Sequence, residues 1–98
     1  MSEKSVKITR KGKATRIVEL GDDFDLEVKK SKGLSDKYLK WTISNKNIIR
    51  FDDADITNDE VEFEAIKIGK TTVTCTNKKT KQKVKFTIKV VPDNDYDD

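Results

Sequence analysis

A chain of 98 residues suits one domain with one thin hydrophobic core. Its 21 basic and 18 acidic residues leave a net charge of +3, which is weak support for a polyanion-binding protein. The chain has no histidine, so the commonest general base and metal ligand is missing, and its single cysteine, Cys75, excludes an internal disulfide and any multi-cysteine zinc site.

Charged residues make up 40% of the chain and hydrophobic ones 34%, a balance that permits disorder. The apolar residues alternate with polar ones, however, and alternation is what a two-sheet core requires. Strand signals recur every eight to twelve residues or so, with turn residues between them. The first is Val6 to Thr9, broken at Lys11-Gly12-Lys13, and the second runs from Thr15 to Leu20 and ends at Gly21-Asp22-Asp23. Phe24, Leu26 and Val28 then alternate with Asp25, Glu27 and Lys29, a strand with one buried face.

Ser31 to Lys37 contains Gly33 and reads as a loop. Tyr38 to Ser44 places Leu39, Trp41 and Ile43 on one face, and a turn at Asn45-Lys46-Asn47 leads into a short apolar strand, Ile48 to Phe51. A polar loop from Asp52 to Asp59 follows, and then Val61, Phe63 and Ala65 alternate with Glu60, Glu62 and Glu64. Gly69 precedes a strand from Thr71 to Thr76, and Asn77 to Lys81 turns the chain. Val84, Phe86, Ile88 and Val90 define the longest strand, which Pro92 ends. No 3.6-residue apolar period is sustained, so little helix is expected.

The reading is an all-β immunoglobulin-like sandwich of about seven strands in two antiparallel sheets, over residues 1–92. An acidic, disordered tail over 93–98 is expected to follow. The expected core is Leu20, Leu26, Val28, Leu39, Trp41, Ile43, Phe51, Val61, Phe63, Val73, Cys75, Phe86 and Ile88. Cys75 is expected to be a buried structural thiol.

With Trp41 in place the pattern becomes specific. The chain resembles the bacterial immunoglobulin-like group 2 domains, modules of surface adhesins, wall enzymes and phage virion proteins. The matching residues are Leu20-Gly21-Asp22, Leu26 with Val28, Trp41 through Asn45, and Ile48 through Phe51. Val61 to Ala65, Gly69 through Thr74, and Phe86 through Val90 complete the set. The resemblance spans about Val6 to Val91. It departs at the acidic stretch Asp52 to Asp59, where the family usually has a tight glycine-containing hairpin. The resemblance implies a β-sandwich without catalytic residues and transfers no fixed partner, and no cofactor is expected. In antibody domains the equivalent tryptophan packs on a disulfide, and here Leu26 and Cys75 are its expected counterparts.

Catalysis is not expected. The acids sit on the outward phase of strands or in polar loops, and no serine, threonine or cysteine is set against an activating base. Asp52, Asp53, Asp55 and Asp59 crowd one loop with oxygen ligands of the kind calcium uses, but they lack the ordered spacing of an EF-hand, so a solvated loop is the preferred reading. If the strands alternate up and down as the resemblance implies, the Ser31–Lys37 and Asn77–Lys81 loops share one end. Lys32, Lys37, Lys78, Lys79 and Lys81 would gather there as ligand-contact candidates, partly neutralised by the Asp52–Asp59 loop.

The two chain ends would lie at opposite poles. No apolar run is long enough for a membrane helix, and the N-terminus does not open like a signal peptide, so no membrane insertion is expected. The expected function is a non-catalytic module for cell-surface or cell-wall carbohydrate adhesion, or for spacing. The setting would be a bacterial surface or a phage tail or capsid, within a larger chain or assembly. The other reading is a basic β-domain that binds nucleic acid or another polyanion. It is disfavoured because no exposed aromatic platform is apparent.

Overall fold

The computed structural model describes residues 8–31, 33–52 and 57–92. Eight strands follow one another: β1 (Ile8–Lys11), β2 (Thr15–Glu19), β3 (Asp23–Lys30), β4 (Leu39–Ile43), β5 (Ile49–Phe51), β6 (Glu60–Ala65), β7 (Gly69–Asn77) and β8 (Gln82–Val91). One turn of 3-10 helix, Asp36–Tyr38, lies in the segment expected to be pure loop. The strands form two four-stranded sheets, in the orders β1-β3-β6-β5 and β2-β8-β7-β4.

Period-two alternation decides which side of each strand is buried. Phe24, Leu26 and Val28 of β3 face inward, as do Val61, Phe63 and Ala65 of β6. In the second sheet Leu39, Trp41 and Ile43 face Val73, Cys75, Phe86 and Ile88 across the register. The core is therefore the slab between the sheets, as sandwich packing requires. At its centre Trp41 is 1% exposed and stacks on Phe86 at 6.0 Å, with Phe63 edge-on at 6.1 Å. Its indole Nε1–H donates to the carbonyl of Asn58 at 2.7 Å, which satisfies the one polar atom such a ring buries. Trp41 lies opposite Cys75 in the β4–β7 register, and Cys75 and Leu26 are both fully buried.

The opening segment divides between the two sheets. β1 pairs antiparallel with β3, whereas β2 pairs parallel with β8. Gly12, at φ +90°, lies in the crossing between them, in a backbone region that residues with a Cβ rarely adopt. This crossing accounts for an eighth strand and for a parallel pair in a sheet expected to be wholly antiparallel.

Leu20 departs from the expected core, being 36% exposed. The β2–β3 turn places it outside the slab: its N–H bonds the carbonyl of Val91, and the next residue, Gly21, bonds that of Ala65. Phe51 is half-buried and packs against the core edge on Phe63. Ile8, Phe24, Ile49, Ala65, Val84 and Val90 belong to the core beyond the expected set. Val6 and the 93–98 segment lie outside the described residues.

Candidate functional site

Strand directions assign the loops to two poles. β8 begins at Gln82, beside Ile8, whose N–H and carbonyl both bond the Gln82 side-chain amide, and it runs to Val91 at the far end. The segments joining β3 to β4, β5 to β6 and β7 to β8 share the pole of Ile8, and we call it the loop pole. The turns after β2, β4 and β6 lie at the other pole, with the end of β8.

Three contacts tie the loop pole together. The Lys78 N–H donates to the Tyr38 carbonyl at 2.8 Å, which joins the β7–β8 turn to the 3-10 turn. The Val28 N–H donates to the Asp59 carbonyl, and the Trp41 indole holds Asn58. Locally, Ser35 caps the 3-10 turn by accepting from the Lys37 N–H, and the Asn77 side-chain oxygen accepts from the Lys79 N–H. These two short-range bonds aim Lys37 and Lys79 at the same ring: their Nζ atoms lie 5.4 and 5.3 Å from the centroid of Tyr38, within cation–π range.

Of the lysines expected to gather, Lys37 and Lys79 therefore meet at Tyr38, and Lys78 joins them through its backbone. Lys81 closes the β7–β8 turn at φ +67°, its N–H bonded to the Asn77 carbonyl, and Lys32 lies outside the described residues. The site has its own countercharge. Lys30 forms an ion pair with Asp36, and that hydrogen bond, with the charges of Asp36 and Asp59, raises the Lys30 pKa above its ordinary value. The loop pole is thus a mixed-charge surface in which two lysines and one half-buried tyrosine present a small cationic spot.

The acids are arranged differently from the loop expected to hold them. Asp53 and Asp55 lie outside the described residues, and Asp59 is tied through its carbonyl to β3. The carboxylate of Asp52 instead comes together with those of Asp23 and Glu62, their oxygens within 4.8 Å of one another. This group belongs to the outer face of the first sheet, where Asp23, Asp25 and Glu27 of β3 stand opposite Glu64, Glu62 and Glu60 of β6. The sequence shows these acids on the outward phase, but only sheet order reveals that they are neighbours.

Cys75 is set up for packing rather than reaction. Burial alone pushes its thiol pKa from 9.0 up to about 12, so at neutral pH it stays protonated and is a poor nucleophile. At the far pole Leu20, Ile66 and Ile68 are each at least 36% exposed, among exposed polar residues such as Asp22 and Lys67, beside a groove lined by Ile68, Val91 and Pro92 together with Lys70 and Lys89. No helix among the described residues is long and apolar enough to cross a membrane.

No protein-family model matches the chain, and no curated protein sequence matches it. Solved structures do. The S-layer protein SbsC domains 4 and 5 superpose with a TM-score of 0.65 at 16% identity, covering 90% of this chain and 51% of that one. The longer S-layer protein fragment rSbsC(31-844) gives a TM-score of 0.64 at 17% identity, with 90% of this chain covering 13% of it. SbsC domains 5-6 give 0.61 at 15% identity, covering 90% and 43%. The chain therefore shares its fold with these S-layer β domains and spans about half or less of each structure it resembles.

Proposed function

We propose that this domain is a non-catalytic structural module of a longer bacterial surface chain, threaded in series with other domains. The observation that carries the reading is the path of the chain: β1 starts at the loop pole and β8 leaves through the opposite one, so a pull or a linker enters at one end and exits at the other. Three exposed apolar side chains at the far pole support it. Leu20, Ile66 and Ile68 sit where β8 exits, which is where a following domain would abut. The solved relatives are domains of long S-layer chains, which favours the bacterial surface over a phage particle. Trp41 at the core and Gly69 opening β7 support membership of the bacterial immunoglobulin-like group 2 modules. The protonated, buried Cys75 and the lack of histidine support a non-catalytic role.

A tandem of two copies joined through Pro92 tests the serial reading. Small-angle scattering should give a maximum dimension about twice that of one copy, as for domains arranged end to end. A tandem folded back to little more than the length of one copy would refute it.

Adhesion to an acidic wall polysaccharide is a second reading, favoured by the convergence of Lys37 and Lys79 on Tyr38. Two anion contacts predict that binding falls about tenfold between 50 and 200 mM salt. Lys79→Glu should abolish it, and binding indifferent to that substitution would refute this use of the pole. A nucleic-acid ligand would show the same salt dependence with single-stranded DNA in place of polysaccharide.

A further inference from the structure

The two outer faces of the sandwich carry opposite charge. On the first sheet the central strands β3 and β6 set acid against acid at three alternate register positions: Asp23 with Glu64, Asp25 with Glu62, and Glu27 with Glu60. Side chains so placed lie only about 5 Å apart at Cβ, and like charges directly opposite destabilise a sheet. The flanking strands meet this ladder at its ends, where Arg50 Nε donates to Glu64 at 2.8 Å and Lys11 pairs with Glu27 at 3.3 Å. Glu60 shows the crowding: Glu27 foremost, then Asp25, raise its carboxyl pKa above the ordinary value.

On the second sheet the outward positions of the central strands β7 and β8 are lysine and threonine. Lys70 stands directly opposite Lys89, and Lys85 and Lys83 face Thr74 and Thr76. Lys40 of β4 extends the row. The acids fill every outward position from Asp23 to Glu27 and from Glu60 to Glu64, whereas threonines space the lysines, at Thr87 on β8 and at Thr72, Thr74 and Thr76 on β7. Outward positions on both sheets lie about 6.6 Å apart along a strand and about 4.8 Å apart across it, so carboxylates and lysines occupy lattices of the same dimensions.

We propose that copies of this chain stack face to back, the carboxylate ladder of the β1-β3-β6-β5 sheet of one copy docking on the lysine rows of the β2-β8-β7-β4 sheet of the next. The partner surface is present on the same molecule, with the opposite sign and the same strand lattice. A second copy therefore relieves the carboxylate pairs and the Lys70–Lys89 pair at once, which a small cation on the acidic face alone does not. The contact joins two different patches, so no two-fold axis closes it and the product is an open stack rather than a dimer. This lateral association goes beyond the serial arrangement and is separable from it, because end-to-end extension of a tandem says nothing about contacts between sheet faces.

Sedimentation of the chain tests the inference. At about 10 mM salt, where charges act over about 30 Å, the average mass should rise with protein concentration. At about 1 M salt, where that length falls to about 3 Å, it should return to a single copy. Two double variants sharpen the test: Asp25→Lys with Glu62→Lys leaves the acidic face balanced by Lys11 and Arg50, and Lys85→Glu with Lys89→Glu cancels most of the charge of the lysine rows. These side chains project outward, and circular dichroism verifies that each variant is folded. Each alone should stay single at low salt, and an equimolar mixture should recover one contact, the intact ladder of one variant on the intact lysine rows of the other. A wild-type chain that remains single at low salt overturns the proposal. So does a mixture that fails to associate, or a variant that self-associates as the wild type does.

Discussion

Replacing Trp41 by alanine removes the largest side chain of the core, and its cost can be worked out from its contacts. The residue is 1% exposed, and burying a tryptophan withdraws about 200 Å² from water, worth about 5 kcal/mol at 25 cal/mol per Å². Alanine retains part of that area, and truncations of this kind cost about 3–5 kcal/mol. Loss of the stack on Phe86, the edge contact with Phe63 and the bond to Asn58 moves the value to the upper part of that range. These terms describe the same buried surface in part, so they do not add. Trp41→Phe keeps a ring in the slab but loses the Asn58 bond and some volume, and it should cost about 1–2 kcal/mol. Equilibrium urea unfolding followed by circular dichroism measures both variants, because Trp41 is the chain's only tryptophan and cannot serve as the fluorescent probe. A domain of this size has about 5–15 kcal/mol in all, so the alanine variant should be near the edge of folding. A loss below about 1 kcal/mol for Trp41→Ala would refute the placement of the indole at the centre of the core.

Gly69 opens β7 at φ +150°, and a Cβ built there would lie 2.7 Å from Cδ1 of buried Ile48. Gly69→Ala should therefore cost about 1–3 kcal/mol, and in an Ile48→Val background, which lacks that methyl, part of the cost should disappear in a double-mutant cycle. For Cys75 the folded thiol pKa of about 12 exceeds the unfolded value of 9.0, so its stabilising contribution is complete below pH 9 and is lost as pH rises towards 12. Across that window the wild type should lose up to about 1.4 kcal/mol per pH unit more than Cys75→Ala in parallel urea titrations, and equal slopes would contradict the burial. Glu60, raised chiefly by Glu27, is least unfavourable when protonated. Glu60→Gln should therefore raise the urea midpoint above the carboxylate titration range, with the gain shrinking in high salt and vanishing at acidic pH.

Much of the sandwich was legible because alternation is a local signal. Phe24, Leu26 and Val28, or Val84 through Val90, announce a one-sided strand with no knowledge of the partner strand. The Trp41 indole needed a carbonyl, and Asn58 supplies it. Pairing is not local, and the departures lie there. Leu20 continues the apolar phase of β2, but the turn that binds Val91 and Ala65 carries it out of the slab. The transfer of β2 to β8 depends on a crossing at Gly12 that no periodicity records. At the loop pole, alternating strand direction was enough to gather the lysine-bearing turns. The meeting of Lys37 and Lys79 at Tyr38, however, depends on a hydrogen bond between turns some forty residues apart in the chain. The acids show the same limit. Asp52 shares a polar loop with Asp59 in the sequence, yet its carboxylate neighbours are Asp23 and Glu62, chosen by the strand order of the first sheet.

The parallel pairing of β2 with β8 also decides how the domain answers tension. Its register runs over five consecutive pairs, from Thr15 with Thr87 to Glu19 with Val91, and together with the β1–β3 ladder it stands between the two ends of the chain. A pull applied through those ends acts along the strands, while the hydrogen bonds lie across them. The bonds are therefore loaded together in shear, and none can be peeled away before its neighbours. Resistance to such a pull is set by the barrier to unfolding rather than by the equilibrium stability, and this short ladder is where that barrier would be raised.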